Sequence, residues 1–175
     1  MEKRDSFVLA ISRLNDPHPD EVLSRWKAYE EYIRSIQGRL ADDAYEYATS
    51  EWHKDYSHRM SPHDGWIERV TIEEPSGGDR CEQRSIRLAI ELLGSYHDGR
   101  IRFTYPEVKS YRIEAPSEFE WPPYGVGHGD WLADEVGLST SGLVLHQILF
   151  SRGAVWSIEA RDLRYEWLPL AVAAG

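Results

Sequence analysis

Polar and apolar residues alternate in short runs along the C-terminal part of the chain, with turn residues between the runs. In one run, Ile86, Leu88, Ile90 and Leu92 alternate with polar or small residues. This period of two is typical of a strand with one buried face. Other runs of this kind lie at 66–73, 101–105, 108–113, 134–138, 143–150, 154–159 and 163–167. We therefore predict an antiparallel β-sheet of about seven or eight strands built from hairpins.

The N-terminal part of the chain has helical spacing instead. One apolar stripe advances in steps of four, three, four and three residues: Val22, Trp26, Tyr29, Ile33 and Ile36. This stripe predicts a helix that starts near Asp20 and ends before Gly38. A second helix is predicted from about Asp42 to Tyr56, and residues 5–14 fit either a short helix or a strand.

These elements predict an α+β fold, in which the N-terminal helices pack on the antiparallel sheet. The length suits a single domain. Its parts are a mainly helical segment 1–60, the sheet 61–168 and a tail 169–175, which together make up 1–175. The strand blocks 66–113 and 131–168 form either two sheets or two halves of one sheet. Exposed sheet edges leave a homodimer open as an alternative.

The chain is acidic, with 30 Asp and Glu against 20 Lys and Arg and a net charge of −10. Binding to nucleic acid or to an anionic membrane needs a basic footprint, so the composition argues against both. A basic protein partner is compatible with this charge. The apolar run at residues 7–11 is too short for a signal peptide, and no stretch approaches ~20 apolar residues, so we expect a cytoplasmic protein.

The sequence carries no recognisable catalytic or cofactor motif. A P-loop, a dinucleotide-binding fingerprint and a Gly-x-Ser-x-Gly elbow are all missing. The single cysteine, Cys81, rules out an intrachain disulfide and a cysteine-rich zinc site, and no base adjoins it in the sequence. We therefore predict no cofactor and favour a binding protein over an enzyme.

Residues 114–130 form a long predicted loop that combines acidic residues, aromatic residues and prolines. Long loops are often functional, and Trp and Tyr dominate binding hot spots. We predict a partner-binding surface made by the loop and the residue that follows it: Glu118, Glu120, Trp121, Tyr124, Asp130 and Trp131. Trp26, Trp156 and Trp167 are assigned to the core. The alternative is that the loop folds back and covers the sheet with its own aromatic residues.

Histidine stands close to aspartate at several turns, which makes a metal-dependent hydrolase an alternative. The candidate ligands are His63, Asp64, His97, His128 and Asp130, and His146 could join them. Imidazoles and carboxylates from separate loops can converge on one metal ion. No two histidines have the i, i+4 spacing of a helical zinc motif, so we favour ordinary turn positions for these residues.

Carboxylates on the C-terminal strands offer a second enzymatic alternative. Two of them could form a glycosidase pair if they lay about 5–9 Å apart. The candidates are Glu135, Glu159, Asp162 and Glu166. Carboxylates that alternate with apolar residues usually belong to the solvated face of a sheet, which we favour here. A structural or small-molecule-binding module is the remaining alternative, with a deep apolar pocket or a large symmetric interface.

Three segments carry a resemblance to known bacterial proteins. They read HDGWIERVTIE (63–73), RSIRLAIELLGSYHDGRIRFTYPEVKSY (84–111) and HGDWLADEVGLSTSGLVLHQILFSRGAVWSIEARDLRYEW (128–167). Over roughly residues 40–168 the chain resembles a set of small uncharacterised bacterial proteins similar to the immunity proteins of polymorphic toxins. The resemblance implies an inhibitor that binds a toxin. Its motifs are hydrophobic and aromatic pattern elements, so it assigns no functional residue.

Overall fold

The computed structural model describes residues 6–11, 18–116 and 127–170, and within these ranges four helices precede the strands. They are α1 (Val8–Ile11), α2 (Pro19–Ser35), α3 (Asp42–Thr49) and α4 (Glu51–Lys54). The helix predicted from Asp42 to Tyr56 is interrupted at Ser50, whose backbone is extended with ψ 135°. One extended residue breaks the helical hydrogen-bond ladder, so the segment forms two short helices.

Ten strands occupy the rest of the described chain. They are β1 (Trp66–Glu73), β2 (Ser76–Gly77), β3 (Gln83–Arg84), β4 (Arg87–Leu93), β5 (Gly99–Tyr105), β6 (Val108–Arg112), β7 (Trp131–Leu138), β8 (Val144–Phe150), β9 (Val155–Ala160) and β10 (Arg164–Pro169). All the strand pairings are antiparallel, which confirms the α+β class with antiparallel sheets. None of the helices in the described ranges is long and apolar enough to cross a membrane.

The strands form two four-stranded sheets and not one sheet of seven or eight strands, in agreement with the two-sheet arrangement left open above. Sheet 1 has the order β1-β4-β5-β10, and sheet 2 has the order β6-β9-β8-β7. The short strands β2 and β3 form a separate hairpin. Two strands leave their sequence block, because β6 joins sheet 2 and β10 returns to sheet 1. Periodicity cannot reveal such an exchange, since a period of two fits either sheet.

The two sheets share one hydrophobic core. Phe103 on β5 stacks on Trp131 at the start of β7, with the ring centroids 5.1 Å apart. The hydroxyl of Tyr105, also on β5, lies 2.7 Å from Nδ1 of His146 on β8. All four side chains are fully buried. Sheet 1 therefore contacts sheet 2 through large aromatic side chains, whose burial is a main source of stability.

The helices cover β7, which is an edge strand of sheet 2. Both α1 and α3 contact this strand. The Tyr29 hydroxyl accepts a hydrogen bond from the Val136 N–H at 3.0 Å, and the Tyr32 hydroxyl accepts one from the Leu138 N–H at 3.0 Å. Both tyrosines come from α2. The backbone groups that an edge strand leaves unpaired are therefore satisfied by helix side chains.

The outer face of sheet 1 carries a row of alternating charges. Arg69, Glu91, Arg102 and Glu166 lie opposite one another on the four strands. The shortest contact joins Arg102 to Glu91 at 2.8 Å, and the two outer pairs are 3.8 and 3.9 Å apart. Opposite charges in cross-strand positions stabilise a sheet modestly. Glu166 is exposed in this row, as the alternating pattern of its strand predicted.

Candidate functional site

A buried carboxylate lies where the helices meet the two sheets. Asp134 on β7 accepts hydrogen bonds at Oδ2 from the Tyr47 hydroxyl at 2.8 Å and at Oδ1 from the Trp131 indole N–H at 2.9 Å. The Nε2 atoms of His53 and His146 lie 3.1 and 3.0 Å from Oδ2. We call these five residues the Asp134 network. It joins α3, α4, β7 and β8 through one charged group.

An irregularity in β7 brings Trp131 and Asp134 to the same side of the strand. Residues three apart in a regular strand point to opposite faces. The register of β7 against β8 shifts between Trp131 and Ala133, which adds one residue to β7. A bulge of this kind reverses the alternation beyond it. Asp134 therefore points inward with Trp131.

The two histidines of the Asp134 network differ in how completely they are bonded. His146 uses both ring nitrogens, since Nδ1 lies 2.7 Å from the Tyr105 hydroxyl and Nε2 contacts Asp134. His53 uses Nε2 alone, and its buried Nδ1 has no hydrogen-bond partner among the described residues. A buried ring nitrogen without a partner costs stability. His53 is therefore expected to contribute less to the stability of the network than His146 does.

Charges and burial act against each other at this carboxylate. Burial raises the pKa of Asp134, but the charges and hydrogen bonds of His53 and His146 outweigh it, so the pKa lies well below its ordinary value. Burial also raises the pKa of Tyr47 and of Tyr105, and the charge of Asp134 raises both further. The ionised carboxylate surrounded by protonated donors is thus the stable state of the network.

The Asp134 network is closed to a substrate. The side chains of His53, Asp134 and His146 are only 2%, 3% and 0% exposed. Four donors from the protein contact the carboxylate, and because it is buried no metal ion or reacting group from solution reaches it. The arrangement therefore holds the helices on β7, and it offers no chemistry to a molecule in solution.

An open groove lies beside the Asp134 network, between α3 and β10. Its volume is about 720 Å³. The lining residues are mainly acidic or aromatic: Asp43, Glu46, Tyr47, Ser50, Trp52, Met60, Thr104, Arg164, Tyr165, Glu166 and Trp167. We call this feature the α3–β10 groove. Tyr47 belongs to both features, because its ring lines the groove and its hydroxyl binds Asp134.

Acidic side chains form the rim of the α3–β10 groove. Asp43 pairs with Arg164 at 3.2 Å, and Glu166 contacts Arg102 on the neighbouring strand at 3.9 Å. Glu46 is exposed, and its carboxylate has no hydrogen bond or ion pair within the described residues. Asp43 and Glu166 therefore each contact a guanidinium group, and Glu46 is left as a negative charge at the groove without such a contact within the described residues.

Aromatic rings make the walls of the groove. The rings of Trp52 and Tyr165 lie 4.4 Å apart between centroids, and the Tyr165 hydroxyl donates to the Met60 carbonyl at 2.6 Å. Trp167 lies against the β4–β5 turn, where a Cβ atom at Gly99 would collide with its indole ring. These contacts hold half-buried rings in fixed positions while one side of each remains in the groove.

Most of the predicted partner-binding surface lies outside the described residues. This is so for Glu118, Glu120, Trp121 and Tyr124, whose assignment to that surface stays a prediction. Asp130 is exposed. Trp131 is fully buried and donates its indole N–H to Asp134, so its assignment to the surface is wrong. An aromatic residue beside a Gly-rich loop can equally begin a core strand, and the bulge in β7 turns this one inward.

The residues predicted to bind a metal are separated. His63 pairs with the exposed Asp64 at 3.3 Å and stacks on Tyr56, with centroids 4.1 Å apart. His97 is exposed beside Trp66, while His128 packs on Trp156, and Asp130 is exposed at the start of β7. No group of three His, Cys, Asp or Glu side chains in the described part of the chain is placed to hold a metal ion. The metal-dependent alternative therefore lacks its site there.

The four predicted strand carboxylates also lie in different surroundings. Glu135 is buried and accepts the Leu9 N–H at 2.8 Å, so the prediction of a solvated position is wrong for it. Glu159 bonds Ser110 at 3.2 Å and also Ser141. Asp162 accepts the Leu163 N–H at 2.8 Å. These contacts tie three of the carboxylates to the fold, and Glu166 alone lines the α3–β10 groove.

Sequence patterns missed both the Asp134 network and the α3–β10 groove. The groove combines α3 with β10, which are more than a hundred residues apart in the sequence. Comparison with known protein families, with curated proteins and with solved structures finds no match to this chain. A functional assignment for the chain must therefore rest on the geometry of the groove.

Proposed function

We propose that the chain is a protein-binding protein of the immunity type, and that it holds a basic partner in the α3–β10 groove. One observation carries this proposal: an open groove with aromatic walls and an acidic rim on a chain of net charge −10. Aromatic side chains that are fixed and partly exposed are common hot spots, and acidic rims speed association with basic partners. The resemblance to immunity proteins of polymorphic toxins points in the same direction.

The closed Asp134 network also supports binding over catalysis. Asp134 and the two histidines that contact it are buried, and their contacts are made within the protein. The groove has carboxylates and aromatic rings but no histidine or cysteine among the described residues of its lining. A lining of this kind can recognise a charged surface, and it lacks a nucleophile paired with a base.

The test is affinity purification of the partner from the native host at low and high salt. We expect a basic partner in stoichiometric amount, which high salt releases because exposed charge pairs are screened. Glu46→Gln and Trp52→Phe should reduce its recovery, whereas Glu31→Gln should not. Glu31 is an exposed acid on α2 and serves as the matched control.

The same experiment separates the groove from the predicted loop surface. If Trp121→Ala reduces recovery and the groove variants do not, the loop is the binding surface. A partner that is acidic, or one that both sets of variants retain at the wild-type level, would contradict the proposal.

A further inference from the structure

Two guanidinium groups of the chain itself already contact residues that line the α3–β10 groove. Arg164 places Nε 3.2 Å from a carboxylate oxygen of Asp43. The guanidinium carbon of Arg59 lies 5.6 Å from the ring centroid of Trp167. One arginine therefore pairs with a carboxylate and the other lies over an aromatic face, which are the two contacts that guanidinium groups favour.

Other residues of the groove lining offer the same two kinds of contact without an arginine from the described chain. The Glu46 carboxylate has no partner among the described residues. The rings of Trp52 and Tyr165 belong to the same groove lining, and they are half-buried with their centroids 4.4 Å apart.

The size of the groove suits a short segment of protein. Its volume of about 720 Å³ is larger than one side chain requires and lies within the range of ordinary ligand sites. Of the three acids in the lining, Asp43 pairs with Arg164 and Glu166 contacts Arg102, so one positive side chain would neutralise the remaining acid, Glu46. Charge complementarity thus selects a cationic occupant, and the aromatic walls select a flat one.

We infer that the α3–β10 groove binds, at Glu46, the guanidinium group of an arginine on the basic partner. The carboxylate of Glu46 accepts its N–H groups, and its planar face lies on Trp52 or Tyr165. Lysine fits less well, because an ammonium group is a compact and strongly hydrated charge without a flat face. This inference rests on the proposed function, since it names the chemical group by which the groove recognises a partner.

Short peptides test the inference without the partner. Three capped pentapeptides carry one arginine, one lysine or one citrulline between glycines; citrulline has nearly the shape of arginine without its charge. Binding is followed by the NMR signals of the tryptophan indole N–H groups. We expect saturable shifts of the Trp52 signal with the arginine peptide, roughly fivefold weaker binding of the lysine peptide, and no saturable binding of the citrulline peptide.

Matched variants assign these shifts to the groove. Glu46→Gln should weaken binding of the arginine peptide about tenfold, because one charge-assisted contact is lost. Glu31→Gln should leave the affinity for this peptide unchanged. Equal affinities for the arginine and citrulline peptides would overturn the inference, and so would an affinity for the arginine peptide that Glu46→Gln does not change.

The two proposals fail in different ways. If the peptides do not discriminate but partner recovery still depends on Glu46 and Trp52, the groove binds the partner through another group. If the peptides discriminate but partner recovery does not depend on these residues, the guanidinium site stands and the proposed function falls.

Discussion

Two carboxylates near Tyr47 have opposite surroundings. Asp134 is buried and receives hydrogen bonds from the tyrosine, the indole of Trp131 and two imidazoles. Glu46, the residue before Tyr47, is exposed in the α3–β10 groove without a partner among the described residues. A fully bonded charge in the core holds elements together, whereas an unpaired charge at an open groove is free to bind. The comparison predicts that one residue governs stability and the other governs binding.

The largest effect is expected from Asp134→Asn. The amide keeps the shape of the carboxylate, but its NH₂ group meets donors and it carries no charge for the imidazoles. Breaking a buried charge network in this way should cost about 3–5 kcal/mol of the free energy of unfolding. Urea unfolding measures the loss, and the exposed Asp64→Asn is the control. A loss below about 1 kcal/mol would show that the network does not hold the helices on β7.

Tyr47→Phe tests the Asp134 network and the α3–β10 groove independently, because Tyr47 belongs to both. It removes the hydroxyl that donates to Asp134 and keeps the ring that lines the groove. We expect a loss of about 2 kcal/mol in the free energy of unfolding, as for a hydrogen bond to a charged group. Partner recovery should match the wild type. Loss of partner binding at unchanged stability would reverse the roles assigned to the hydroxyl and the ring.

The pH dependence compares Asp134 with Asp162, which lies just before β10. Burial raises the pKa of Asp162, and the charge of Asp43 raises it further, whereas the pKa of Asp134 is lowered. As the pH falls, Asp162 should therefore be protonated first and Asp134 last. Carboxyl carbon NMR signals report both events. Protonation of Asp134 before Asp162 would contradict the closed, charged network.

The direction in which stability changes with pH follows from the lowered pKa of Asp134. Its ionised form is favoured in the folded state, so its contribution is complete above the ordinary aspartate pKa of about 3.9. This contribution is lost as the pH falls below that value. We expect the free energy of unfolding of the wild type in urea to fall below about pH 4. If Asp134 were uncharged in the folded state, it would contribute nothing to this fall.

The smallest effect on stability is expected from Glu46→Gln. The side chain is exposed and unpaired among the described residues, so the free energy of unfolding should change by less than about 0.5 kcal/mol. Partner recovery and arginine-peptide binding should nevertheless fall. A destabilisation as large as that of Tyr47→Phe would show that Glu46 has a structural role and would remove the contrast with Asp134.

Local patterns predicted the elements better than their assembly. The run 66–73 is a strand with those bounds, and the stripe from Val22 to Ile36 is the helix α2. The buried face of α2 imposes its period on the sequence, whereas β1 keeps a strand's period of two without a buried residue. The sheet assignment failed for β6 and β10, since their partners are chosen by contacts between distant segments.

Contacts between distant segments also explain why the sequence did not predict the candidate site. Asp134 and Glu135 follow one another in a strand whose two faces are both covered, and no local pattern shows that helices will cover the second face. Trp167, assigned to the core, is half-buried at the groove because the turn at Gly99 lies beneath its ring. Positions that depend on several elements at once are therefore the ones that the sequence does not reveal.

The tyrosines of α2 also restrict how the chain can self-associate. Their hydroxyl groups take the place that a neighbouring strand would take along β7, so another chain cannot extend sheet 2 on that side while α2 is in place. Growth of sheet 2 by strand addition must therefore use its other edge, β6. If α2 detaches, β7 becomes a template for pairing, and loss of the helices and aggregation should then occur as one event.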